Sequence, residues 1–367
     1  GDQYGRLYSE EMITLMRSLQ LPRYGLSKYI SEAKTSDVSV YEQHLIDNLS
    51  RAGQRMMGFC MSTFFKRIDS SGFSFLLTLY RHILRNCVFL YALENELPLP
   101  ISDENSLPED YIEDEDINTT MFGEELDITP TVGATLHIPT DLSIYMAKAK
   151  EYYDIITNKN NVAWLSSDYF KRSLKQQLNK DCATLIQMIE LCGDWQQSTD
   201  EKLNELQRLI LGDHKDDKII VFTQYSDTAR YIYNQLRKRG IQAIDYATGD
   251  SDNPTHIVER FSPISNDKSD LPNEEQTRIL IATDVLSEGQ NLQDAHVIVN
   301  FDLPWAIIHL IQRAGRVDRI GQTSGLIYCY SFFPAEGVEE VIKLRSRLND
   351  RINENANIVG SDEVFFE

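Results

Sequence analysis

Two arginines, Arg316 and Arg319, stand three residues apart behind Gly315, in the run Gln312-Arg-Ala-Gly-Arg-Val-Asp-Arg-Ile-Gly-Gln322. At a helix start this spacing sends both guanidiniums out from one face. A planar, permanently charged fork grips several phosphate oxygens at once, so the pair suits the charge that develops on a phosphoryl group in transfer. A surface salt-bridge cluster closed through Asp318 is the alternative for the same residues. Spacing alone does not choose between them; the flanking elements must.

Upstream, residues 279–282 and 297–301 are short apolar runs with the character of buried parallel strands. The polar segment between them leaves the first strand at its carboxyl end, where open α/β sheets place their ligands. Thr283 offers a hydroxyl and an N–H to a phosphate there. Ser287, Glu288, Gly289 and Gln290 make the following loop, with Gly289 permitting close backbone approach. Residues 218–225 form another such strand, ending in Gln224 and Tyr225, and Ser226 is placed to N-cap the next helix. Ala229, Ile232, Tyr233 and Leu236 give that helix its apolar face, and Gly240 its stop. A strand over 241–247, a turn at 248–250, a helix over 256–261, a strand over 326–333 and a mixed-charge helix over 338–355 follow. This alternation predicts an α/β fold for residues 213–355, a parallel sheet with helices on both faces, the size of one ordinary domain.

In order, the T-D, S-E-G-x-N-L, D-x-P-W and Q-x-x-G-R-x-x-R elements resemble those of superfamily 2 helicases. Residues 218–322 resemble the second RecA-like lobe of the Swi/Snf-like ATPases. The Arg-Ile-Gly-Gln ending and the wording are nearest the bacterial RapA-like type. Residues 64–75 are also similar to the helical segment between the lobes of large bacterial members. The resemblance implies an ATP-dependent DNA translocase in which Arg316 and Arg319 are arginine fingers on the γ-phosphate of ATP. Gln312, Gly315, Glu288 and Gly289 would line the nucleotide cleft, and Thr283, Gln224 and Ser226 would face the backbone of double-stranded DNA. Neither a G-x-x-x-x-G-K-[ST] loop nor a D-E-x-H/D run occurs in the 367 residues. Those elements cradle the phosphates and hold Mg²⁺. The resemblance assigns them to an N-terminal RecA-like lobe elsewhere in the same protein, and implies that this chain alone is inactive. The competing expectation is a degenerate lobe serving as a protein-interaction scaffold, for which an intact arginine pair has no use.

The rest of the chain frames this lobe. Residues 1–100 carry helical periodicity in Met12, Leu15, Met16 and Leu19, and again in Phe75, Leu76, Leu79, His82, Ile83, Asn86 and Leu90. Arg51, Arg55, Lys66, Arg67, Arg81 and Arg85 fit either a DNA groove or a solvated helix face. Residues 101–140 read as an acidic insertion: 102–127 hold eleven acids and no base, against a net charge of −20 for the chain. A mobile segment or a gate competing with DNA phosphates fits that composition. Residues 141–212 read as a helical connector, with a long helical stretch over 164–191, and 356–367 as a tail. The net charge argues against a general nucleic-acid-binding surface, but not against a local groove, since fields are screened beyond about 10 Å. Five cysteines without C-x-x-C spacing fit free, buried thiols in a reducing cytoplasm, and no metal-ligand spacing is present. No apolar run approaches the roughly 18 residues of a membrane span, so a cytoplasmic location is expected.

Overall fold

Every residue of Ile219–Phe222, Ile279–Ala282 and Val297–Asn300 is buried, the pattern of strands covered on both faces. The computed structural model describes residues 3–31, 38–101, 135–158, 162–287, 291–304 and 307–333, with main chain only at 50–61, 285, 287 and 307. The chain divides into two compact units, Gly1–Ile68 with Phe75–Trp195, and Asp69–Ser74 with Gln196–Glu367.

The first unit is mainly helical. It holds α1 (Gln3–Leu7), α2 (Glu10–Ser18), α3 (Val40–Ser70), α4 (Gly72–Glu94), α5 (Leu142–Thr157) and α6 (Arg172–Cys192). Ser9 caps α2 by accepting from the Met12 N–H at 3.2 Å. Short strands β1 (Leu99–Ile101), β2 (Thr135–Leu136), β3 (Ala163–Leu165) and β4 (Trp195–Gln196) interrupt the helices. β1 and β3 pair antiparallel with Leu99 opposite Leu165. The long helix expected over 164–191 is therefore corrected at its start: Trp164 lies in β3, and α6 begins only at Arg172. Lys66, Arg67 and Arg85 are buried, so they form neither a solvated face nor an open groove. Most of the acidic insertion lies outside the described residues, as do the helix expected over 338–355 and the tail.

The second unit is built from α7 (Glu201–Leu211), β5 (Ile219–Phe222), α8 (Ser226–Lys238), β6 (Ile244–Ala247), α9 (Pro254–Phe261), β7 (Ile279–Ala282), β8 (Val297–Asn300), α10 (Ile307–Val317) and β9 (Tyr328–Ser331). The sheet order is β6-β7-β5-β8-β9 and all four pairings are parallel. Right-handed crossovers then place α8 on one face, because the chain moves from β5 toward β6, and α9 and α10 on the other, where it moves back. The core agrees: Val258 and Phe261 of α9 and Val317 of α10 pack with Ile220, Phe222, Leu280, Ala282 and Ile298, which alternate onto a single face. This is the RecA-like parallel sheet with helices on both faces that the sequence predicts.

Local chemistry explains the boundaries. Ser226 is the first residue of α8 rather than its cap; Tyr225 holds the capping position and makes no side-chain cap bond. Gly240 takes φ +93°, the left-handed stop expected after Arg239. The sequence places the start of the lobe at residue 213; the longer segment of the second compact unit starts at Gln196. The reason is α7, whose Leu203, Leu206 and Ile210 are buried and whose cap Asp200 is held by the Tyr231 hydroxyl of α8 at 2.7 Å. Phe261→Ala opens a cavity between α9 and the sheet and is expected to cost about 3–5 kcal/mol. A urea midpoint of the second unit that hardly moved would show that this face is packed by other residues.

Candidate functional site

Arg313 organises the arginine helix. It is fully buried, and its guanidinium makes a bidentate pair with Asp284, Nε to Oδ1 at 2.6 Å and Nη2 to Oδ2 at 2.7 Å. Nη1 donates to Asn300 Oδ1 at 3.1 Å and to the Asp302 carbonyl at 3.3 Å. The Phe222 ring lies 5.2 Å from the guanidinium carbon. One side chain thus ties α10 to the ends of β5 and β8 and to the 3₁₀ turn Asp284–Ser287 that follows β7. Only arginine supplies that planar fork.

With Arg313 and Val317 turned inward, the opposite side of α10 faces out. Ile308, Ile311 and Gly315 are exposed there, and Gln312 is half-buried. A Cβ on Gly315 would meet nothing within 4 Å, so no packing inside the lobe calls for the glycine. It costs the helix about 1 kcal/mol relative to alanine. Arg316 lies in the last turn and is half-buried; Arg319 is exposed two residues beyond the helix. The pair therefore sits at the end of a helix, not the start that the spacing alone called for. That correction has a physical consequence: cations are favoured at the negative C-terminal end of a helix.

Arg319 belongs to a β-turn, Arg319-Ile-Gly-Gln322, closed by the Gln322 N–H to the Arg319 carbonyl at 3.0 Å. Gly321, its third residue, takes φ +108°, which favours glycine there. The Gln322 amide caps the helix, donating to the Val317 carbonyl at 3.0 Å and to the Ala295 carbonyl at 2.9 Å. Arg319 Nη1 donates to Asn291 Oδ1 at 3.1 Å, and an open pocket of about 710 Å³ is lined by Asn291, Gln293, Asp318, Arg319 and Ile320. The Asp318 salt-bridge alternative does not form: among the described residues Asp318 is exposed and makes no ion pair.

The other expected site residues are placed unequally. Glu288 and Gly289 lie outside the described residues. Thr283, buried at the carboxyl end of β7, directs its N–H to the Ala247 carbonyl at 3.0 Å. That N–H is therefore committed within the sheet, which leaves only the hydroxyl of the two groups expected to meet a phosphate. Gln224 is buried too; its side chain donates to the Leu303 carbonyl at 2.7 Å and its N–H to Asp302 Oδ1 at 2.8 Å. Both donors are used inside the lobe. Ser226 is half-exposed at the start of α8. Asp284, Asn291 and Asp302 stand in the T-D, S-E-G-x-N-L and D-x-P-W elements but were given no role from sequence, and Arg313 was not singled out at all. Arg313 had a signal, since helical spacing puts it beside Leu310 and Val317 on the inward face. Of the cysteines, Cys87, Cys182 and Cys192 are buried and Cys329 is exposed on the edge strand, contrary to the expectation of uniform burial. Among the described residues no three His, Cys, Asp or Glu side chains assemble as a metal site, and no helix is long and apolar enough to cross a membrane.

Fold and site together define a parallel α/β lobe in which α10, seated on a buried ion pair, carries Arg316 in its last turn and leads to Arg319. Residues 201–321 match the helicase conserved C-terminal domain. YqhH of Bacillus subtilis, an uncharacterized ATP-dependent helicase, is 32% identical over 146 residues, which are 40% of this chain and 24% of that protein. The probable ATP-dependent RNA helicase DDX49 of Homo sapiens is 32% identical over 134 residues, 36% of this chain and 26% of its own length. The RNA polymerase-associated protein RapA of Proteus mirabilis is 32% identical over 133 residues, 36% of this chain and 13% of its own. The chain thus matches about a quarter or less of the length of these relatives.

Arg313→Ala leaves Asp284 buried without its partner and is expected to cost about 3–5 kcal/mol. The double replacement Arg313→Met with Asp284→Leu should recover most of that loss, because it removes both charges together. Urea unfolding of the single and double variants checks this. A single variant as stable as the parent would mean that water reaches Asp284.

Proposed function

We propose that this lobe is the C-terminal motor half of an ATP-dependent translocase on double-stranded DNA, of the Swi/Snf-like, RapA-like kind. The observation that carries the reading is the outward face of α10. Ile308, Ile311 and Gly315 leave an open apolar surface that leads to Arg319, whose guanidinium meets only Asn291 among the described residues. Such a face suits a second surface closing over it with a phosphate between them.

In this reading Arg316 and Arg319 engage the γ-phosphate of ATP as charge spreads over its oxygens, with Gln312 and Gly315 beside it and Glu288 and Gly289 on the facing loop. A phosphate-binding loop and the carboxylates that hold Mg²⁺ come from the N-terminal RecA-like lobe, and this chain alone does not turn over ATP. Mg²⁺ supplies charge neutralisation at the phosphates when bound; the residues described here form no site for it. Thr283, with its hydroxyl at the carboxyl edge of the sheet, and Ser226, at the start of α8, are the side chains offered to a DNA backbone. The internal bonds of Gln224 confine that residue to shaping the edge between them. Contacts of this kind track phosphates and read no sequence.

The test uses the full-length protein and its nucleic-acid-stimulated ATPase. Arg316→Ala and Arg319→Ala are each expected to lose more than about a hundredfold in turnover, within the range on the order of 10³–10⁵ that an arginine finger supplies, with DNA binding retained. Turnover left unchanged by both would favour a protein-interaction scaffold that uses the same isoleucines. Stimulation by RNA and not by duplex DNA would overturn the choice of track.

A further inference from the structure

In an open α/β sheet, ligands bind at the carboxyl ends of the two adjacent strands whose connections leave in opposite directions. Here those strands are β5 and β8, and the crevice lies between Thr223-Gln224 and Asp302-Leu303. The chain itself fills it. The elbow Asp69–Ser74, which joins α3 to α4, belongs to the second compact unit. Ser70 is fully buried and donates its hydroxyl to Asp302 Oδ2 at 2.5 Å. The Thr223 hydroxyl donates to the same oxygen at 2.5 Å, and the Gln224 N–H to Oδ1 at 2.8 Å. Ser70 and Ser74 both lie 2.8 Å from the Thr228 hydroxyl, and Phe73 stacks on Tyr231 with centroids 4.4 Å apart.

Lys202 of α7 completes the elbow. Its ammonium donates to the carbonyls of Asp69 at 2.7 Å and Ser70 at 3.1 Å, at the negative C-terminal end of α3, and lies 4.5 Å from the Phe301 ring centroid. Burial pushes its pKa below the usual lysine range, opposed by Asp69, Asp302 and Asp200.

Asp302 is where this elbow meets the arginine helix. Its carboxylate takes the elbow hydroxyl, and its carbonyl accepts from Arg313. We propose that the Asp69–Ser74 elbow is a positioning element for the arginine helix: Ser70 sets Asp302, Asp302 sets Arg313, and Arg313 holds α10 where Arg316 and Arg319 can act. The elbow takes the place that a bound ligand would occupy in this type of sheet. The consequence for ATP turnover rests on the motor reading above; the mechanical link does not.

Hydrogen–deuterium exchange on this chain tests the link. Ser70→Ala removes the hydroxyl while Asp302 keeps Thr223 and Gln224. Since a hydrogen bond to a charged group is worth about a factor of ten or more in an equilibrium constant, amides of α10 are expected to exchange about tenfold faster, with those of β6 unchanged. Ser74→Ala, which leaves the bond to Asp302 in place, should affect α10 less. Faster exchange confined to residues 69–74 and the start of α8 overturns the proposal, as does an equal rise in every strand, since either makes the elbow a fastener without direction. In the full-length protein Ser70→Ala should lower kcat several-fold with KM for ATP and DNA affinity held. Unchanged kcat, in a protein where Arg316→Ala abolishes turnover, overturns the positioning role. If Arg316→Ala has no effect either, the motor reading fails and the exchange result decides the elbow by itself.

Discussion

The lobe depends on one buried ion pair. Arg313 and Asp284 have almost no contact with water, and each is intolerable there without the other. A buried pair of this kind adds little to stability compared with well-packed apolar side chains, so its value lies in geometry. The fork admits one orientation of α10 relative to the turn after β7. Arg316 lies on the helix that the pair fixes, and Asp284 opens the turn Asp284–Ser287. A rigid joint between these two elements lets a contact made at one be felt at the other without a long relay.

Asp302 extends the same logic along the carboxyl edge of the sheet. It lies two residues beyond β8, and the Phe301 N–H before it still bonds the Phe222 carbonyl of β5, where Phe222 is opposite Asn300. Its carboxylate gathers two hydroxyls and an N–H, enough partners to keep an anion inside a protein. The edge of the sheet is thereby divided. The β5–β8 crevice is closed by the chain's own elbow, and the ground around Asn291, Asp318 and Arg319 stays open.

The sheet was legible because its strands are continuous apolar runs ending in Thr, Asn or Asp, a pattern that few other structures produce. Gly240 was legible for a local reason, since a helix stop there calls for a left-handed backbone; Gly321 takes a positive φ too, but nothing in the sequence reading singled it out. What escaped was everything set by long-range pairing. Arg313 looks like one more member of a basic run until Asp284, 29 residues away, is seen beside it. Ser70 is 232 residues from Asp302, and no periodicity links them. The basic residues of α3 and α4 misled for the converse reason: Lys66, Arg67 and Arg85 have helical spacing suited to a solvated face, and the fold buries them. The arginine pair was found by type and spacing, but its place on the helix was inverted, because a glycine before two arginines marks either end of a helix equally well.

That inversion changes how the surface would recognise a phosphate under the proposed reading. At a helix start, free N–H groups and the positive end of the macrodipole would share the work. At a helix end, the last carbonyls present partial negative charge, and the lobe adds Asp318 beside them. The backbone here disfavours an anion, so in the proposed reading the attraction falls to the guanidiniums of Arg316 and Arg319. They are at the same time stabilised by that negative end while no anion is present. The helix stands on Arg313 and Asp284, and the turn after it on Gly321 and Gln322. A joint buried inside the lobe thus fixes the helix from which both arginines extend, and Arg319 reaches exposed ground beyond it.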